Sequence, residues 1–473
     1  MELIPVKKKI LTTKKRRGLP SLATDTVRMV AATLQIGQST NETIADGRLP
    51  RGENDDEEIF SIGQQVEAHI PDMVLNNLHE LIDSKGNFLI PNEHLYEQST
   101  LLFLDVSGFT SLTEQYSNDA HLGVDQLTHT LNSYFDKLVS EILKYNGDIY
   151  KFAGDAILAL WTNDTHGIEQ AFKCALSLQD KCGAYQTDVE VILRLKVALA
   201  YGPVRAVFIG TEEFKYYILI GDCVKDVNRC EQICEAGDII ITRTIYEYVR
   251  SKCRCCEFVP MGTDEHEQHY AVKYFGSMEE DSESNFNGDI ASADGNQTYL
   301  LDDELSIRID SMIKSFLLRG VHQRIERQQS LDYLSELRRV TISFLNLDIS
   351  DEQFHRQDFY QNVQKVFIHI YELTKMMGGV LTKVLLFDKG WSFLCVFGLP
   401  GYTQGDDTAN ALKCAHMIHS TIQKQYQFIN QCSIGVNLLA FFSFSWKSSH
   451  FIRVRLGDNW FDLLRSCWTC RSM

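Results

Sequence analysis

The sequence lacks the motifs that mark several common classes of nucleotide-binding and membrane protein. Neither the P-loop pattern GxxxxGK[ST] nor the dinucleotide-binding pattern GxGxxG occurs, which argues against a P-loop kinase or ATPase. The longest apolar run, around residues 438–446, is too short to span a bilayer and contains serines. No secretory signal opens the chain, so we expect no transmembrane segment, a cytoplasmic location and thirteen reduced cysteines.

The chain also has fewer basic than acidic residues, 46 lysines and arginines against 63 aspartates and glutamates. The net charge of −17 and the pI near 5.3 argue against a general nucleic-acid binder, so an anionic substrate would need local positive charge or metal ions. The histidines are dispersed, and none pairs with a serine or cysteine as a catalytic triad requires. Cysteines cluster at Cys253–Cys256 and at Cys467–Cys470, but neither group has a partner pair at zinc spacing.

The 473 residues present are enough for two or three domains. We expect a disordered tail at 1–60, a first globular unit at 61–275, an acidic linker and helical connector at 276–334, a partial second unit at 335–436 and a divergent tail at 437–473. The basic cluster Lys7–Arg17 fits either a nuclear-import signal or a solvated tail.

Hydrophobic periodicity predicts alternating helices and strands in the first unit. The predicted helices are 62–82, 124–145, 168–181 and 223–235, and the predicted strands are 189–200, 214–221 and 238–242 with a hairpin at 148–161. This alternation predicts an α/β or α+β class with a mixed sheet.

The most informative stretch is residues 99–115. An apolar strand ends there on Asp105 and is followed by Gly108 and the start of a helix, a turn that suits phosphate. Residues 150–161 read as two short strands around a Gly-Asp turn that presents Asp155. Two acids on neighbouring strand ends can share a pair of Mg²⁺ ions and hold a nucleoside triphosphate. Alternatively, Asp105 caps a helix and Asp155 only fills a tight turn.

The second unit repeats these patterns. Val340–Leu347 resembles residues 100–106, with Asn346 where Asp105 stands, and residues 379–398 resemble 147–161, with Lys383 matching Lys151. A duplication in which one copy lacks the first acid predicts a pseudo-twofold pair. One half would hold the metal-binding acids and the other would serve the shared cleft.

Two motifs, FLDVSGFTSLTE at Phe103–Glu114 and KFAGDAILALW at Lys151–Trp161, resemble the catalytic domain of class III nucleotidyl cyclases. Three further segments, at Ala68–Val74, Tyr333–Leu347 and Lys383–Gly401, are similar to the soluble, bicarbonate-regulated adenylyl cyclases of that family. The resemblance covers about residues 60–436.

The resemblance implies an α+β fold of two ferredoxin-like (βαββαβ) domains in tandem, the second one truncated, with ATP bound between them. It implies that Asp105 and Asp155, helped by the Val106 backbone carbonyl, bind two Mg²⁺ (or Mn²⁺) ions. The implied reaction is attack of the 3′-hydroxyl of ATP on its own α-phosphorus, which gives cyclic AMP and pyrophosphate in intracellular signalling.

Further family positions map onto this chain. The resemblance implies that the nucleotide is contacted by Ser107, Gly108, Phe109, Thr110, Lys196 and Lys383, of which Lys383 reads the adenine. It implies a bicarbonate pocket that contains Lys151, Leu219, Arg229 and Leu386.

One position and one segment depart from the family pattern. The family's bicarbonate arginine aligns with Asn228, and Arg229 follows one residue later, a step that turns a helical side chain by about 100°. The family's ribose and transition-state residues fall in the segment that diverges after Val436.

Three functions are consistent with these patterns. The first is an adenylyl cyclase with paired domains and bicarbonate as a regulator. The second is a catalytically silent nucleotide-binding homologue that pairs with another cyclase chain. The third, a guanylyl cyclase, is disfavoured because guanine readers usually include an acid, whereas Lys383 holds that position here.

Overall fold

Two β-sheets organise the chain, one in each of the two units that the repeat predicts. A computed structural model describes residues 69–83, 87–117, 123–153, 155–162, 166–253, 255–261, 268–274, 303–319, 326, 338–354, 356, 358–387, 390–399, 402, 405–441 and 454–456. We call residues 69–274 the first unit and residues 338–441 the second unit. The predicted tail at 1–60 lies outside the described residues, as do most of the linker at 276–334 and most of the tail at 437–473.

The elements follow the chain in this order. The first unit contains α1 (Asp72–Asn76), β1 (Asn92–Ser107), α2 (Phe109–Ser117), α3 (Gly123–Lys144), β2 (Asp148–Ala153), β3 (Ala156–Thr162), α4 (Gly167–Cys182), β4 (Ala184–Gln186), β5 (Ile192–Gly210), β6 (Lys215–Ile220), α5 (Asp222–Gln232), β7 (Ile239–Thr242), α6 (Arg243–Val249), β8 (Cys256–Met261) and β9 (His269–Tyr274). Helix α7 (Asp303–Ser315) lies in the predicted connector. The second unit contains β10 (Arg338–Ile349), α8 (Asp351–Phe354), α9 (Phe359–Met376), β11 (Gly379–Phe387), β12 (Gly390–Phe397), α10 (Asp407–Gln425) and β13 (Ile429–Phe441), and β14 (Val454–Leu456) follows.

Both sheets share one strand order at their centre. The order is β2-β3-β1-β5 in the first sheet and β11-β12-β10-β13 in the second. Apart from the shorter elements α2, β4 and α8, each chain segment runs strand, helix, strand, strand, helix, strand. The first sheet continues past β5 through β7, β9 and β8, and the β5–β7 pair is parallel. The predicted mixed α/β class is therefore confirmed, and the element order repeats as the sequence repeat predicts.

The strand register matches the two copies residue by residue. In the first hairpin, Lys151 follows a β-bulge and lies opposite Leu158. In the second hairpin, Lys383 also follows a β-bulge and lies opposite Leu394. The two lysines thus occupy equivalent positions, in agreement with the alignment of the sequence repeat.

The predicted helix at 62–82 is confirmed only in part among the described residues, where a 3-10 turn at Leu78–Glu80 follows a short α-helix. The only α-helical residues there are Asp72–Asn76, and residues 62–68 lie outside the described residues. Pro71 precedes the helix and has no N–H to donate. The first two N–H groups of the helix donate to the Asp148 carboxylate at 2.9 and 2.8 Å. A side chain from a distant strand therefore fixes the start of this helix.

Strand β5 is longer than the predicted strand at 189–200. It continues because its second half pairs with both the start of β1 and the whole of β6. A β-bulge in the β1–β5 ladder accommodates Pro203, which cannot donate a ladder hydrogen bond. The hairpin β8–β9 was not predicted, and it ends at Tyr274. In the second unit, β13 pairs with β10 as far as Phe441, beyond the predicted boundary at 436.

The two units share a hydrophobic cluster. Side chains of β5 and β6, among them Val207 and Ile218, pack with the core of the second unit. The ring of Phe214 stacks on those of Phe367 and Tyr371, with centroid distances of 6.2 and 5.8 Å. This contact joins the β5–β6 hairpin to helix α9.

Hydrogen bonds also cross the boundary between the units in both directions. The Gln364 side chain accepts a hydrogen bond from the Gly210 N–H at 2.8 Å and donates one to the Gly210 carbonyl at 2.6 Å. Conversely, Lys151 donates to the Val384 carbonyl at 2.8 Å, and the Val384 N–H donates to the Tyr216 hydroxyl at 3.0 Å. Each unit thus forms hydrogen bonds with both the N–H and the carbonyl of one residue in the other unit.

Among the described residues, no helix is long and apolar enough to cross a membrane.

Candidate active site

The two predicted acids lie side by side at one end of the first sheet. Asp105 is opposite Ala156 in the β1–β3 ladder, and Asp155 immediately precedes Ala156 in the hairpin turn. Residues directly opposite each other in an antiparallel ladder are about 5 Å apart. Burial raises the pKa of Asp155, and the negative charge of Asp105 raises it further. The structure therefore brings these carboxylates close enough to repel each other.

Lys196 lies on the other side of β1, opposite Asp105. Its Nζ is 3.6 Å from Asp105 Oδ2 and 3.8 Å from Glu231 Oε1. Its positive charge lowers the pKa of Asp155 and so partly offsets the repulsion. Glu231, on helix α5, was missed by sequence reasoning, because an acid near a helix end is common and only the tertiary contact with Lys196 distinguishes it.

A strand-to-helix turn follows the first acid directly. Ser107 ends β1, Gly108 has a φ of +101°, and helix α2 begins at Phe109. A Cβ on Gly108 would lie 3.0 Å from the Ile192 carbonyl oxygen, so the turn requires glycine. The first backbone N–H groups of a helix have no acceptor within it, which suits an anion such as phosphate. Phe109 packs against the core, and the Thr110 side chain lies outside the described residues.

Val106 could contribute only its backbone to a metal site. Its side chain is 2% exposed and packs in the core beneath the helices. The β1–β3 ladder ends at Asp105, whereas the β1–β5 ladder continues through Val106 to Ser107. Val106 therefore lies beyond the last residue pair between β1 and β3, on the edge of β1 that faces the Asp155 turn.

The donors at this end of the sheet fit a magnesium or manganese ion. Both metals prefer oxygen ligands, and a divalent cation would relieve the repulsion that raises the pKa of Asp155. Within the described ranges, the one group of three or more potential metal-binding side chains consists of cysteines elsewhere in the fold. The remaining ligands at the aspartates would therefore be backbone, water or substrate phosphate.

A small cavity of about 20 Å³ surrounds Lys151 where the two units meet. Apolar residues of both units line it, including Leu219 and Leu385. The Lys151 Nζ lies 4.7 Å from the centroid of the Tyr216 ring and 4.8 Å from that of Tyr150. Burial lowers the pKa of Lys151 well below its ordinary value, and the charge of Lys383 lowers it further. The cavity therefore holds an amine whose charged form burial disfavours and a bound anion would favour.

The structure gathers only part of the predicted bicarbonate set. Lys151 and Leu219 line the cavity. Arg229 is not among the lining residues: its side chain is 53% exposed and lies 3.7 Å from Asp226. Leu386 follows a lining residue, but its own side chain lies outside the described residues.

Lys383, the predicted adenine contact, lies near Lys151 at the boundary between the units. Burial lowers its pKa, and its charge acts on Lys151. The two equivalent lysines of the repeat thus come together across the boundary.

The second unit has an acid at neither of the equivalent positions. Asn346 occupies the place of Asp105, and it pairs with Ser392. Trp391 directly precedes Ser392, so it occupies the place of Asp155, and it is fully buried. Sequence comparison predicted the loss of the first acid, whereas the loss of the second follows from the strand register.

Comparison with known proteins gives matches over most of the chain. Residues 92–274 match the family described as the adenylate and guanylate cyclase catalytic domain. Adenylate cyclase type 10 from Homo sapiens is 28% identical over 391 residues, and that from Rattus norvegicus is 30% identical over 392 residues. Each alignment covers 79% of this chain and 23% of the relative, so the chain spans less than a quarter of the relatives' length.

A solved structure with a similar sequence is the adenylyl cyclase CyaB from P. aeruginosa, which is 21% identical with a TM-score of 0.32. That match covers 41% of this chain and 99% of the other.

Proposed function

We propose that this chain converts ATP to cyclic AMP and pyrophosphate, because residues 92–274 match the adenylate and guanylate cyclase catalytic domain. The observation that carries the proposal is the pair of aspartates, Asp105 and Asp155, at neighbouring strand ends of that domain. The similarity to proteins named adenylate cyclases favours ATP over GTP as the substrate.

Each group at this end of the sheet has a part in the proposed reaction. Asp105 and Asp155 hold the cations, and the turn at Ser107–Thr110 and Lys196 hold the triphosphate. Asp105 and Asp155 would hold two Mg²⁺ or Mn²⁺ ions, whose positive charge would make the attacking hydroxyl more acidic and would stabilise the negative charge of the leaving pyrophosphate. The 3′-hydroxyl of ATP releases its proton to solvent as its oxygen bonds to the α-phosphorus, and the bond from that phosphorus to the bridging oxygen breaks, so pyrophosphate leaves with that oxygen.

The second unit acts in this proposal as a degenerate cyclase domain that completes the cleft. Its repeated element order supports a common origin with the first unit, and Asn346 and Trp391 in place of the acids support a non-catalytic role. Lys383 would read the adenine from the second unit.

Bicarbonate is the regulator that we propose for the cavity around Lys151. Burial and Lys383 disfavour the charged form of Lys151, and a small anion in the cavity would favour that form, so protonation of the lysine and binding of the anion would be linked. The exposed position of Arg229 argues for recognition by Lys151 alone. Lys151→Met should abolish any stimulation of activity by bicarbonate relative to chloride, whereas unchanged stimulation would contradict this role.

The central experiment measures cyclic AMP formation by the purified chain with ATP and Mg²⁺ or Mn²⁺. Asp105→Asn and Asp155→Asn should each lower the rate by about 100-fold or more. Asp180→Asn, which changes an exposed aspartate on α4, is the matched control and should leave the rate unchanged. Activity that survives Asp105→Asn would contradict the proposal.

The same experiment separates the alternative functions. ATP binding without turnover, with activity appearing only after an intact partner cyclase domain is added, would favour the silent homologue. Competition between ATP and GTP would identify the preferred base.

A further inference from the structure

Three cysteine thiols meet at the edge of the first sheet. Cys253 Sγ lies 3.4 Å from Cys255 Sγ and 2.9 Å from Cys256 Sγ, and all three sulfurs lie within 4.8 Å of one another. We call these residues the thiol cluster. Strand β8, which begins at Cys256, is four strands from β1 in the sheet, so roughly 19 Å separates the cluster from the strand of Asp105. The cluster is therefore separate from the proposed catalytic site.

The fold brings the three thiols together from a helix end and an edge strand. Helix α6 ends at Val249, and the Cys253 N–H donates to the Val249 carbonyl at 2.9 Å, which turns the chain back. Cys256 then enters β8 and pairs with Tyr274 on β9. Neither element alone would fix all three sulfurs.

The cluster is the most accessible group of thiols in the described part of the chain. None of the described cysteines is in a disulfide, and all of them are buried except Cys255 and Cys256. Cys253 is buried and packs in the hydrophobic core, so one member of the cluster is held by the core of the first unit. Two of the three cysteines are therefore partly exposed.

The sulfur positions suit a metal ion better than a disulfide. At a metal–sulfur distance of about 2.3 Å, three thiolates lie roughly 3.8 Å apart, so the sulfurs need to move by less than about 1 Å. A disulfide would join two of them and leave the third unused. Soft thiolates favour ions such as Zn²⁺ and Cu⁺.

We propose that the thiol cluster binds a thiophilic cation of the Zn²⁺ class through three cysteine thiolates. Among the described residues, no fourth side-chain ligand joins the group, so water would complete the coordination at the exposed side. The bound ion would tie the end of α6 to strand β8, and its role would be structural. Thiols lose their protons when they bind such an ion, so binding should release protons at neutral pH.

The test is a titration of the reduced, metal-free full chain with Cd²⁺, followed by displacement with Zn²⁺. We expect one tightly bound equivalent, a sulfur-to-metal absorption band and release of protons. Cys255→Ser and Cys256→Ala should each weaken binding at least about tenfold, since losing a ligand costs more than losing an outer-shell partner. Circular dichroism would verify that both variants fold.

The matched control replaces the other close pair of cysteines, Cys467 and Cys470, by serine, and it should retain the bound equivalent. Equal Cd²⁺ binding by wild type and Cys256→Ala would overturn the proposal. A Cys253–Cys256 disulfide that, once reduced, leaves the protein unable to take up metal would also overturn it.

Discussion

Replacing Gln364 by leucine should weaken the contact between the two units. The side chain is 8% exposed and satisfies both the N–H and the carbonyl of Gly210, which lies 154 residues away at the end of β5. Leucine has a similar size and can make neither hydrogen bond. The substitution therefore leaves one backbone donor and one backbone acceptor buried without their partner.

The expected loss of unfolding free energy follows from the N–H and the carbonyl of Gly210. A buried polar group that loses its partner costs about 1–3 kcal/mol, so the pair costs about 2–6 kcal/mol. The buried leucine side chain returns about 1–2 kcal/mol through the hydrophobic effect. The midpoints of these ranges leave a net loss of about 2–3 kcal/mol, which should appear in the contact between the units before it affects either core.

Denaturant unfolding of the full chain, followed by circular dichroism and limited proteolysis, measures this loss. Gln361→Leu is the matched control, because Gln361 is exposed on the same helix and its side chain donates only to the Tyr360 hydroxyl. The Gln364 variant should unfold at lower denaturant and be cleaved between the units sooner than the control. If the two variants behave alike, the hydrogen bonds to Gly210 do not hold the units together.

Three further predictions concern substitutions at single positions. Burial lowers the pKa of Lys215 from 10.5 to about 8, so the wild type should gain up to about 3 kcal/mol of unfolding free energy between pH 8 and 10.5, relative to Lys215→Met; parallel curves in urea unfolding would contradict this. Asp155→Asn should raise the melting temperature in EDTA and abolish the rise on adding Mn²⁺, and a Mn²⁺ effect that persists would count against the metal site. Gly108→Ala should lower stability and ATP affinity more than Gly237→Ala, because both glycines have φ near +100° but only Gly108 faces a backbone carbonyl; equal losses in calorimetry would refute this.

The Lys215 prediction depends on the sign of the pKa shift. Between pH 8 and 10.5 the unfolded chain carries the proton and the folded chain does not, so stability rises with pH in that window. Methionine cannot titrate, so the difference between the two proteins isolates this lysine from other groups that titrate there.

Much of the fold was predictable because its signals are local. Helix α3 has the predicted bounds to within a residue, since leucines at three- and four-residue spacing make one apolar face. The β2–β3 hairpin was predictable from its Gly-Asp turn between apolar runs. Helix α1 and the β8–β9 hairpin were not predictable, because a capping aspartate and a pairing strand lie elsewhere in the chain.

The candidate site likewise contains residues that the sequence identified and residues that only the structure identified. Asp105 and Asp155 were identified because each follows or joins an apolar strand, and the ladder between β1 and β3 brings them together. Glu231 was not identified, because nothing in the sequence near it distinguishes it from an ordinary helical acid. Arg229 was included in the predicted bicarbonate pocket although the family's arginine aligns with Asn228, and its side chain is exposed beside Asp226.

The acids, the glycine turn and the repeat could be read from the sequence, since these depend on residues that are neighbours along the chain. The folded chain was needed to show that Trp391 replaces the second acid, that Gln364 and Lys151 join the units, and that three cysteines converge. Those features depend on strand register and on packing between distant segments. A shift of one residue in register would move each side chain to the other face of its sheet, and no local pattern encodes that choice.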